Sequence, residues 1–78
     1  MAMKMEKGGV YRITVEGDVD NNWSDELGGM TITVHREEDL GPIAILEGRL
    51  VDQAALSGVL EALYELHMPV LSVELLSA

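Results

Sequence analysis

Residues with the types and spacing to do chemistry are few in this chain, and the first set is Asp18-Val-Asp20-Asn-Asn22. Carboxylate or amide oxygens at alternate positions open a calcium-binding loop, where they wrap a hard divalent cation. The rest of such a loop is missing. Trp23 stands where glycine must make the sharp turn, and Gly29 where a bidentate glutamate must close the shell. A solvated loop with Asx turns is the better reading. His35 and His67 are the two imidazoles. A metal site would need both to converge with a carboxylate, and nothing in their spacing forces that. His67 reads instead as a helix-ending residue in the left-handed conformation.

The remaining polar residues form no catalytic pattern. Ser24, Ser57 and Ser72 have no nucleophile-elbow context. Gly8-Gly9 and Gly28-Gly29 do not lead into a strong helix with a following lysine, as a phosphate loop must. Acids are abundant, but none lies in an apolar setting that would raise its pKa. Cysteine is absent, which excludes thiolate nucleophiles, disulfides and cysteine-ligated metals. The expectation is therefore a protein without enzymatic activity, cofactor or metal. A small secreted domain commonly uses disulfide staples, so a cytoplasmic home is expected.

Charge narrows the partners. Lys and Arg total 5 against 14 acids, a net charge of −9. A phosphate-binding surface needs clustered cations, and Arg12, Arg36 and Arg49 are scattered among acids. Nucleic acid and anionic membranes are thus not expected as partners, and no apolar run approaches the ~20 residues of a membrane span. A basic protein partner remains open. Hydrophobic residues make up 47% of the chain, enough that most of it should fold.

Those residues must be positioned by a small set of elements. Residues 1–9 read as a flexible N-terminal tail, and residues 10–78 as one α+β domain. Strand patterns cover residues 10–17, 30–36, 43–50 and 70–75. Tyr11, Ile13 and Val15 alternate with polar neighbours, as do Met30, Ile32 and Val34. Between the first two strands lies a polar loop, long for a hairpin, with Ser24 as a possible cap of one helical turn. Residues 52–66 form the single helix. Asp52 is its N-cap, and Leu56, Val59, Leu60, Leu63 and Leu66 make its apolar stripe. Gly58 inside it is best explained by close approach to the sheet, with Gly48 as counterpart. Pro69 bars its continuation.

The order is β-β-β-α-β. It predicts an antiparallel three-stranded meander and a fourth strand parallel to the third, with the helix on one sheet face. The fourth strand is expected beside the first, a place beside the third being also open. One helix covers one face only. Val10, Ile43, Ile45 and Val70 are expected on the other face, as an apolar set that a second copy would cover, giving a homodimer. Trp23 reads either as a lid over the core or as a binding anchor. With Asp52 and Gln53 at the helix start, it would line a small-ligand pocket. These are the two functional expectations: a self-associating interaction module, or a small-ligand sensor.

One stretch carries a resemblance. Leu46-Glu-Gly48-Arg-Leu50-Val-Asp52-Gln53-Ala54-Ala55-Leu56, followed by Gly58 and the closing Leu66-His67-Met68-Pro69-Val70-Leu71-Ser72-Val73, resembles a family of small bacterial proteins of unknown function. There, a strand ends in L-x-G-x-L/V-x-D-Q-A-A-L and leads into a helix. The likeness spans about residues 10 to 74, and His67 departs from that family's helix-ending glycine. It implies a fold and no activity.

Overall fold

The computed structural model describes residues 8–39 and 41–77. Its strands are β1 (Gly9–Glu16), β2 (Thr31–Glu37), β3 (Gly41–Leu50) and β4 (Val70–Ser77), with one helix, α1 (Gln53–Glu65), between β3 and β4. A short 3₁₀ turn covers Asn21–Trp23. Gly8 and Gly9, expected in the tail, are instead buried, and Gly9 opens β1. The rest of the expected tail lies outside the described residues.

The α+β class and the element order hold, but the sheet is wired differently. Its order is β2-β3-β1-β4, and every neighbouring pair is antiparallel. The expected meander is overturned, because β1 does not touch β2. The fourth strand, expected parallel to the third and beside the first, does lie beside β1; β1 separates it from β3 and pairs antiparallel with both, so no two neighbouring strands are parallel. The cause is the segment after β1. A tight hairpin would need only a few residues to bring β2 alongside β1. This segment instead crosses the sheet face, buries Val19, Leu27 and Met30 in the core, and delivers the chain to the far side of β3. The helical turn expected at Ser24 starts earlier: Asp20 caps it, and the Ser24 hydroxyl donates to the Met30 carbonyl at 2.7 Å.

The core lies on the face shared by Tyr11, Ile13 and Val15 of β1 and Ala44, Leu46 and Leu50 of β3. Leu56, Val59 and Leu63 of α1 pack onto it from above, beside Leu27 of the loop. As expected, Asp52 caps the helix, its Oδ1 accepting from the Ala55 amide at 2.8 Å. Also as expected, His67 is left-handed, with φ of 59°. Its amide donates to the Tyr64 carbonyl and that of Met68 to the Leu63 carbonyl, the two bonds of a Schellman stop.

The two glycines thought to meet do not. A Cβ on Gly58 would find nothing within 4 Å, so no close approach to the sheet explains it. A Cβ on Gly48 would stand 3.2 Å from the Met30 Cα, so it is the end of the crossing segment that needs this space.

Candidate interaction surface

A sheet of four strands is about 19 Å wide, while a helix covers about 10 Å, or two strands. Here the crossing segment and α1 share the work. Val59 would meet a Cβ on Gly28, and Leu66 borders Trp23, so this flank of α1 faces the segment. Leu60 and Tyr64 lie on the opposite flank, away from the segment. That leaves β4 bare. It is an edge strand, paired only with β1 among the described residues.

The register shows which β4 residues face the helix side. Val73 stands opposite Ile13 and Leu75 opposite Tyr11, so both share the core face with those buried partners. Yet Val73 remains 42% exposed and Leu75 57%. Irregularities in the β1–β4 ladder fall at Leu71 and Leu76, where one β4 residue has no opposite number. Both are exposed, as is Tyr64 at 80%. The only charge in β4 is Glu74, which lies on the opposite face, 3.8 Å from Arg12.

The four residues expected to form the outward apolar set do not form one surface. Val10, Ile43 and Ile45 are on the face away from the helix, half-buried. Val70 is not. The irregularity at Leu71 breaks the two-residue period, so Val70 stands opposite Val15 on the core face. The face away from the helix is a chequerboard. One row across the strands reads Thr31, Glu47, Arg12, Glu74, and the next Thr33, Ile45, Thr14, Ser72. Arg12 Nε donates to Glu47 Oε2 at 2.7 Å. That hydrogen bond, then the carboxylate's charge, raises the Arg12 guanidinium above its ordinary value. A shallow hollow of about 350 Å³ lies on this face between Thr33, His35, Ile45 and Glu47. A surface of ion pairs and hydroxyls gains little from being covered.

The expected ligand pocket also comes apart. Trp23 borders a hollow of about 190 Å³ with Asp18, Val19, Asp20, Leu66 and Met68, at the end of α1. Asp52 and Gln53 are at its start, some 20 Å of helix away. The crossing segment runs alongside the helix in the opposite sense, which places the tryptophan at the wrong end. Asp52 serves as the cap, and Gln53 is exposed. In the acidic loop, Asp18 accepts from Arg36 at 2.8 Å, and Asp20 accepts from the Asn22 amide. Among the described residues, no three metal-ligating side chains are grouped to hold an ion.

Sequence reasoning passed over Leu75, Leu76 and Tyr64. The available signal was arithmetic: one helix cannot cover four strands, and β4 is apolar at most positions. Among the described residues, no helix is long and apolar enough to cross a membrane. A search of the curated proteins found no match, nor did one of the solved structures. A family model for a domain of unknown function, DUF8691, matches residues 10–74, and the chain belongs to that family.

Proposed function

We propose that this member of the DUF8691 family is a non-enzymatic protein-interaction module that self-associates. The observation that carries the reading is the bare apolar row on β4 and the flank of α1 that bears Tyr64. With Tyr64, the exposed β4 residues Val70, Leu71, Val73, Leu75 and Leu76 present roughly 600 Å² to solvent, close to the ~800 Å² per partner of a standard interface. Exposed apolar surface of this size on so small a domain supports a binding role. The polar side chains support the non-enzymatic half of the reading. The described carboxylates and histidines sit at the surface, engaged in caps, turns and ion pairs where bonded. The absence of cysteine fits the reducing environment of a cytoplasm.

Mass in solution tests this. At about 100 µM, light scattering should give twice the 8.5 kDa of the chain. Leu75→Lys should return the single-chain mass while keeping the far-UV spectrum, because Leu75 is largely outside the core. A wild-type protein that stays at one chain's mass overturns the reading.

A further inference from the structure

We infer that the surface closes by pairing β4 with β4 of a second copy, antiparallel, about a two-fold axis at Val73. This rests on the self-association proposed above and adds the joint and its register. An edge strand turns every other N–H and C=O outward, a template for a further strand. β4 is eight residues long, contains no proline, and has no strand on its outer side among the described residues. Its charge pattern selects the occupant. The chain carries −9, so most surface-to-surface approaches of two copies bring carboxylates together. β4 carries only Glu74, already beside Arg12.

The register follows from matching faces. Opposed residues of an antiparallel pair share a face. An axis at Val73 sets Val73 against the partner's Val73 and Ser72 against the partner's Glu74. The core-face residues of both copies then meet on one side. An axis at Glu74 would set carboxylate against carboxylate. With the axis at Val73, the two sheets become one of eight strands, with both helices on the same face. Tyr64 is the penultimate residue of α1, near the start of β4 in the chain. The start of β4 lies opposite the partner's Leu75 and Leu76, so each Tyr64 stands over the joint. The bare strip becomes the middle of a sheet flanked by helices.

Because the chain has no cysteine, single introduced cysteines read the joint directly. Val73→Cys should oxidise to a covalent dimer under mild oxidant, since opposed Cα atoms lie about 4.5–5.5 Å apart, within disulfide reach. Leu75→Cys should crosslink at least about tenfold more slowly, its two copies being roughly 13 Å apart along the strands. Ser72→Cys mixed with Glu74→Cys should give the heterologous dimer, a second route should the Val73 variant fold poorly. If wild-type mass is dimeric but neither Val73→Cys nor the mixture crosslinks, the β4 joint is overturned and self-association stands. Equal crosslinking at Val73 and Leu75 overturns the register. A wild-type chain of single mass overturns both.

Discussion

His67 holds a backbone conformation that glycine adopts freely and a side chain with a Cβ does not. Its φ of 59° is what the Schellman stop requires, since the amides of His67 and Met68 must turn back to the Tyr64 and Leu63 carbonyls. A left-handed residue other than glycine costs about 1–2 kcal/mol, partly offset by the entropy glycine loses on folding. His67→Gly should therefore stabilise the fold by about 1 kcal/mol, raising Tm by about 4–8 °C for a domain of this size. Thermal melting followed by circular dichroism checks it. An unchanged or lower Tm would mean that the imidazole makes a compensating contact. This residue was legible in the sequence, because helix periodicity ends there and Pro69 forbids more. Asp52 was legible for the same local reason. Gln53 was not, since nothing in its type says whether it faces a pocket or water, and it faces water.

At the scale of elements, local periodicity found all four strands and the helix, but not how they pair. Pairing depends on where the segment from Gly17 to Met30 goes, and nothing in so polar a stretch marked Val19 as a core residue beside Leu27. Once those are buried, the segment spans the sheet face and β2 must land beyond β3. The β4 irregularities were equally hidden: one extra residue at Leu71 reverses the facing of Val70, and a regular alternation cannot show that. Gly58 is the element-scale feature with no structural reason in view. It lies inside α1 with open space where a Cβ would be. Gly58→Ala should add roughly 0.5–1 kcal/mol through helix propensity and a less flexible unfolded chain. The gain should appear in the denaturant midpoint with an unchanged slope. A destabilised Gly58→Ala protein with the single-chain mass would instead show that the helix surface at residue 58 contacts a second copy.

For the whole molecule, the acid excess and the apolar edge act against each other, and salt separates them. Two copies at −9 each repel at long range, whereas the β4 joint brings only Glu74 near the axis and holds it beside Arg12. Salt shortens the Debye length from about 20 Å at 0.02 M to about 4–5 Å at 0.5 M, removing most of the repulsion and little of the apolar attraction. Dimerisation should therefore tighten several-fold across that range, with Kd read from the concentration dependence of the mass. Stability should follow by mass action, Tm rising with protein concentration and more steeply at high salt. A contact made instead through the scattered cations Arg36 and Arg49 against a partner's acids would respond the other way, weakening as salt screens the attraction. The sign of the salt effect thus distinguishes an apolar joint between like-charged copies from an ion-paired one. It also assigns a use to the acidic balance. Repulsion over most of the surface discourages indiscriminate association and leaves the nearly uncharged edge strand as the place where two copies can meet.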